Sequence, residues 1–183
     1  MYGPRFESAL SYAAALHHGQ RRKGNGAPYI VHPLAVASLV GSYGGDEDQV
    51  IAALLHDVLE DCGVGERALR ERYGERVARL VVACTDTTER PKPAWRPRKE
   101  AHIARVQGEP GEVKLVIAAD KLHNALSIVR DRRHRDVGER VWERFSADRD
   151  EVCWYYGAMR DALATGWDHP IIGEVERAVS ELS

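Results

Sequence analysis

Cysteine, methionine and phenylalanine are scarce in this chain of 183 residues, which holds three, two and two of them. The cysteines, Cys62, Cys84 and Cys153, are odd in number and irregularly spaced. That pattern argues against a disulfide framework and against a zinc site built from thiolates. Long apolar runs are also missing. Stretches such as LVVAC at 80–84 fall far short of a bilayer span, and the opening MYGPRFESAL has no basic-then-apolar signal pattern. Nor is there an excess of positive charge. With 26 basic against 28 acidic residues the net charge is -2, which argues against a general binder of nucleic acid. The expectation is a reduced, cytoplasmic protein that works on neither membranes nor nucleic acid.

What the chain does have is 44% apolar and 30% charged residues, enough for a core and for a soluble surface. Its 20.4 kDa suits one domain spanning 1–183. Helical signals dominate. Pro4 opens a helix over 5–18 that stops at Gly19; Pro33 opens another running to Gly44-Gly45; Asp46 caps a third that continues through VIAALLHDVLED to about Gly63. Further helices are predicted over 66–73, 75–88, 98–107, 112–131, 147–165 and 170–182. The three prolines in ERPKPAWRPRKE (89–100) exclude a regular helix throughout, so 89–97 reads as a surface loop. Only the triplet YIV at 29–31 looks like a strand. The fold class expected is all-α, a compact single domain of eight or nine helices.

Two polar clusters interrupt this apolar, helical pattern. At about 100° per residue, His56, Asp57, Glu60 and Asp61 fall on an arc of roughly 140°, opposite Val50, Ile51, Leu54, Leu55, Val58 and Leu59. Three carboxylates so close raise one another's pKa unless a cation neutralises them, and a divalent metal is the simplest such cation. The second cluster is AADKLHNALS at 118–127, where Asp120 sits on a mostly apolar helix with Leu115, Leu122, Leu126 and Val129 on its far face. A carboxylate there needs a partner or a metal. His32, just before Pro33, is the third element. Two imidazoles and two carboxylates, His32, His56, Asp57 and Asp120, suit a redox-neutral hydrolytic metal, with Mn²⁺ or Zn²⁺ favoured. Such an ion acidifies water and offsets phosphate charge, which leaves Glu60 and Asp61 to handle protons or orient the attacking water.

These segments resemble the HD-domain metal-dependent phosphohydrolases. RRKGNGAPYIVHP (21–33), AALLHDVLED (52–61), the region through WRPRK (95–99) and AADKLHNAL (118–126) are together similar to the hydrolase domain of the RelA/SpoT group and its single-domain small alarmone hydrolases. The dipeptide HD alone is weak; its ordered setting, 24 positions after His32 and 63 before the DKLHN aspartate, is specific. The resemblance, over about residues 5–165, implies an HD fold and Mn²⁺-dependent removal of the 3′-pyrophosphate of (p)ppGpp, giving GDP or GTP. It assigns His32, His56, Asp57 and Asp120 as metal ligands and Glu60 and Asp61 as the catalytic acidic pair. It places Arg22 and Lys23 near the nucleotide base and Asn124 against the substrate. The partner implied is a small nucleotide; the oligomeric state stays open. Gly24-Asn25-Gly26-Ala27 lies where relatives vary, and Ser127 stands where many have threonine. The chain stops where the longer enzymes continue into a synthetase domain, so synthesis is not expected.

Other readings remain open at this point: an HD-type phosphohydrolase acting on a 5′-nucleotide, a cyclic nucleotide or NADPH, or an HD fold used only to sense nucleotide. His17, His18, His102, His134 and His169 read as surface or capping residues, and His123 as a packing or supporting residue rather than a ligand. RDRRHR at 130–135 reads as a charged helix end that suits the C-terminal dipole. Trp95 and WYY at 154–156 read as packing.

Overall fold

The computed structural model describes residues 2–23 and 26–182. Ten α-helices and one 3-10 helix form among the described residues, with no strand; YIV contributes a turn and the start of a helix, and a single isolated bridge pairs Arg21 with Pro28. The helices are α1 (Pro4–Leu16), α2 (Val31–Ser42), α3 (Glu47–Leu55), α4 (Val58–Asp61), α5 (Glu66–Tyr73), α6 (Glu75–Cys84), α7 (Trp95–Gly108), α8 (Gly111–Arg133), α9 (Arg149–Ala164) and α10 (Pro170–Ser180), with the 3-10 turn at Gly138–Arg144.

Two helices carry the centre. Every residue of α3 from Gln49 to Leu55 is buried, and so is α8 from Val113 to Asp120. A helix that is apolar nearly all round belongs in a core. Here α3 packs on α1, α2, α6 and α8, while α8 also meets α2, α6, α9, α10 and the 3-10 turn. Lys114 is buried within that run, yet its ammonium donates to the Gln107 and Thr165 carbonyls at 3.2 and 2.5 Å, so the charge is satisfied by two helix ends.

The start of α3 is fixed locally. Asp46 accepts from Gln49 N while Gln49 Oε1 accepts from Asp46 N, a reciprocal capping box at 3.0 Å each way. Gly44 (φ +86°) turns the chain between α2 and α3 in a conformation that favours glycine. The ten α-helices among the described residues exceed the expected eight or nine mainly because the predicted third helix breaks. It stops at Leu55, and α4 restarts at Val58. The reason lies in His56, whose Nδ1–H donates to the Ala53 carbonyl at 2.7 Å and competes for an oxygen in the i→i−4 ladder that Asp57 would use.

Other expectations shift more modestly. The predicted 75–88 helix ends at Cys84, and α7 begins at Trp95, three residues earlier than expected, because Pro97 sits in its first turn where no ladder donor is needed. The loop between α6 and α7 is exposed over residues 88–94, as expected. His17 and His102 are not surface residues: both are buried, each held by a partner three positions on, Gln20 and Arg105. His169 does cap α10, accepting from Ile171 N. Leu126, assigned to an apolar face, is 46% exposed.

Candidate functional site

The break after α3 aims two neighbouring side chains at one point. With its Nδ1 committed to Ala53, His56 presents Nε2 inward, 3.0 Å from Asp57 Oδ2 and 3.6 Å from Asp120 Oδ1. His32, in the first turn of α2, brings its Nε2 to 3.2 Å from that of His56, 3.2 Å from Asp120 Oδ1 and 3.6 Å from Asp57 Oδ2. Asp120 reaches in from the middle of α8. Donor atoms of His32, His56 and Asp57 all lie within 4.8 Å of one another. The four residues singled out from sequence therefore meet.

Electrostatics follow from the crowding. Burial works against charge on His56, but the facing Asp57 and Asp120 carboxylates outweigh it and raise its pKa well above the usual value. His32 goes the other way, lowered chiefly by burial. Burial opposes ionisation of Asp57 and Asp120 as well; His56 and His32 hold Asp57 low, and Lys121 with the two imidazoles holds Asp120 low. Two ionised carboxylates and two imidazole nitrogens turned toward a common point are a donor set that demands positive charge. That mixture of nitrogen and oxygen fits a divalent cation.

The surrounding residues orient this set. Tyr29 donates its hydroxyl to Asp57 Oδ2 at 2.6 Å. Lys121 Nζ donates to Asp120 Oδ2 and Asn124 Nδ2 to Asp120 Oδ1, each at 2.6 Å. Asn124 in turn accepts from Arg22 Nη2 at 3.0 Å, and the Arg22 guanidinium sits 5.8 Å from the Tyr29 ring centre. His123 Nδ1 lies 2.7 Å from His32 Nδ1. Its pKa falls to about 4, chiefly through burial.

Beside the cluster opens a cavity of about 470 Å³. Asp57, Glu60 and Asp61 stand on its wall together with Arg22 and Lys23. Glu60 and Asp61 do not join the metal-type cluster. Glu60 accepts from Lys92 Nζ at 2.6 Å and its carbonyl takes Arg90, while Asp61 accepts from Gln20 Nε2 at 3.0 Å. Lys23 is exposed at the rim, and Gly24 and Asn25 lie outside the described residues. Trp95 packs edge-on against Trp154 and Tyr155, and Trp95, Tyr155 and Tyr156 also line the cavity.

Sequence reasoning gave no role to five cations on this wall: Arg21, Lys92, Lys99, Lys121 and Arg144. Lys99 is held by Asp86 at 2.6 Å and lies 4.7 Å from the Tyr155 ring centre. Tyr29 was also passed over. Both Tyr29 and Lys121 sit inside quoted motifs, one turn before His32 and one residue after Asp120, so spacing alone could have found them. Arg144 could not have been found that way, because it comes from the 3-10 turn.

The profile of the HD domain matches residues 9–153. A guanosine-3′,5′-bis(diphosphate) 3′-pyrophosphohydrolase of Danio rerio, MESH1, is 37% identical over 139 residues, covering 74% of this chain and 76% of that protein. Its Homo sapiens counterpart is 39% identical over 119 residues, 63% of this chain and 65% of that one. An Aquifex aeolicus enzyme named for the same activity is 33% identical over 128 residues, 69% of this chain but 18% of its own length. The chain spans about a fifth of the bacterial relatives that head the comparison. In three dimensions it is similar to a protein described as a metazoan ortholog of SpoT that hydrolyses ppGpp. The TM-score is 0.81 at 25% identity, with 97% of this chain and 95% of that one covered. A crystal structure from Listeria monocytogenes gives a TM-score of 0.71 at 31% identity, covering 81% and 96%.

Proposed function

This chain belongs to the HD-domain family, and from that membership we propose that it hydrolyses (p)ppGpp-type nucleotides at the 3′ position, releasing pyrophosphate and GDP or GTP. One observation carries the reading, the set of distances from the two imidazole Nε2 atoms to each other and to the Asp57 and Asp120 carboxylates. The Nε2 atoms of His32 and His56 lie 3.2 Å apart and 3.0–3.6 Å from carboxylate oxygens of Asp57 and Asp120, beside a cavity whose wall is rich in lysine and arginine. In this reading residues 1–183 work as a single hydrolase domain with a small nucleotide as its partner. The three free thiols support a cytoplasmic setting, and no helix among the described residues is long and apolar enough to cross a membrane.

The four clustered side chains would hold one divalent cation, Mn²⁺ first and Zn²⁺ as the alternative. A bound divalent ion supplies a more acidic water and positive charge opposite the phosphates. The rest falls to the chain. Water adds across the bond between the 3′ oxygen and the adjoining phosphorus, so one proton must leave the water and one must reach the 3′ oxygen. Glu60 and Asp61, on the cavity wall one turn from His56 and Asp57, take and return that proton and hold the water in line. Lys92 and Gln20 fix their carboxylates for the task. Lys99, Lys121 and Arg144 face the phosphates, and Arg22, Lys23 and Asn124 the nucleoside. Replacing Arg22 with Ala should therefore raise KM more than it lowers kcat.

Incubation of the protein with Mn²⁺ and ppGpp, pppGpp, ppApp or NADPH tests the reading. Pyrophosphate release from the 3′-diphosphates, abolished in Asp57→Ala, supports it. Turnover of NADPH alone, or of none of the four, would overturn it.

A further inference from the structure

His32 has one nitrogen facing the cluster and one facing away, and the second is not left to solvent. Its Nδ1 lies 2.7 Å from Nδ1 of His123, with the ring centres 4.8 Å apart and the planes tilted by 31°. A contact that short between two ring nitrogens is a hydrogen bond, so one carries the proton and the other accepts. If His32 is to offer a lone pair at Nε2, its proton must sit on Nδ1. His123 is then the acceptor and keeps its own proton on Nε2. His56 reaches the same tautomer by a different route, giving its Nδ1–H to the Ala53 carbonyl. The two imidazoles are thus set alike, one by backbone and one by a side chain of α8.

We propose that His123 is a positioning residue that locks His32 in the tautomer and ring orientation needed to bind a divalent cation; this rests on the metal reading above. His123 is itself held from below. Ser127 donates its hydroxyl to the His123 carbonyl at 2.8 Å, which ties the backbone of this α8 turn. Its ring reaches a second cavity of about 260 Å³ shared with His32, Ser127 and Arg130, so the Nε2–H has room for a water partner. His123 touches neither Asp57 nor the cavity beside Glu60, and its effect must pass through His32. Partners behind a metal-bound histidine commonly change metal affinity by ten- to a hundredfold.

The test measures Co²⁺ binding to metal-free protein by visible absorption, which needs no turnover. His123→Phe keeps a ring but removes the acceptor, and His123→Ala removes both without risk of overfilling the site. His123→Asn places an amide oxygen near the Nδ1 position. The expected result is a Kd raised on the order of 10–100-fold in the Phe and Ala variants, and restored to within a fewfold of wild type in Asn, with all variants folded by circular dichroism. Wild-type affinity in the Phe and Ala variants, or equal losses in all three, overturns the inference while leaving the metal reading intact. A wild-type protein that takes up no Co²⁺ overturns both.

Discussion

Tyr29 shows how much a single hydroxyl can carry here. Its hydrogen bond to Asp57 Oδ2, at 2.6 Å, fixes the carboxylate against the two imidazoles. The contact is buried enough that the phenol pKa rises, first through burial and then through Asp57. Tyr29→Phe removes only that bond, and metal affinity should fall on the order of tenfold, the lower end of what such supporting partners contribute. Isothermal titration with Mn²⁺ measures it; an unchanged Kd would show that Asp57 needs no such support. Glu60 and Asp61 make the opposite kind of prediction. Because neither belongs to the four-residue cluster, Glu60→Gln and Asp61→Asn should keep the metal and lose on the order of 10²–10⁴ in kcat, the range for acid–base groups. Metal content by mass spectrometry alongside kcat separates the two effects. Near wild-type turnover would mean that the pair only faces solvent.

At the scale of the helix, the site depends on where α3 begins and where it stops. Asp46→Ala breaks the capping box and should destabilise the protein by about 1 kcal/mol. It also removes a carboxylate that Arg76 grips at 2.7 Å. Gly45 lets the chain turn back tightly on the end of α2, donating its N–H to the Val40 carbonyl: a Cβ there would stand 2.8 Å from that oxygen. Gly45→Ala should cost roughly 1–3 kcal/mol by overpacking, read as a lower urea midpoint with an unchanged slope. Starts of this kind are local and were legible: Asp46 as a cap, and Pro170 opening the last helix. The clustering of His56, Asp57 and Asp120 was legible for the same reason, since HDxxED and DKLHN each place their polar groups within two turns. The break at His56 was not. It depends on an imidazole reaching back to a carbonyl, which leaves no trace in apolar periodicity. Burial of His17 and His102 was also hidden, because the helices that cover them are distant in the chain. The cationic wall depends likewise on Lys92, Lys99, Lys121 and Arg144 arriving from four separate segments.

Across the whole molecule, His102 is a buried histidine whose burial opposes protonation. His102 is 1% exposed, and burial, aided by Lys121 and Arg105, pushes its pKa down to about 2. In the unfolded chain the value returns to about 6.5. Between those values the unfolded state binds the extra proton. This residue's contribution to stability is therefore complete above pH 6.5 and declines as pH falls, by up to about 1.4 kcal/mol per unit. Between pH 7.5 and 5.0 the wild type should lose up to about 2 kcal/mol more than His102→Gln in urea unfolding, a difference that separates this residue from His56, whose raised pKa acts in the opposite sense. An equal loss in the variant would place the acid sensitivity elsewhere.

In the proposed function, the His32–His56–Asp57–Asp120 cluster makes this chain a metal-dependent 3′-pyrophosphohydrolase. Its most direct test is chelated, metal-free protein mixed with ppGpp, with pyrophosphate and GDP quantified before and after one equivalent of Mn²⁺ is restored. No product should form without the ion, and equimolar GDP and pyrophosphate should form with it. Product formation that ignores chelation, or release of orthophosphate in place of pyrophosphate, would contradict it.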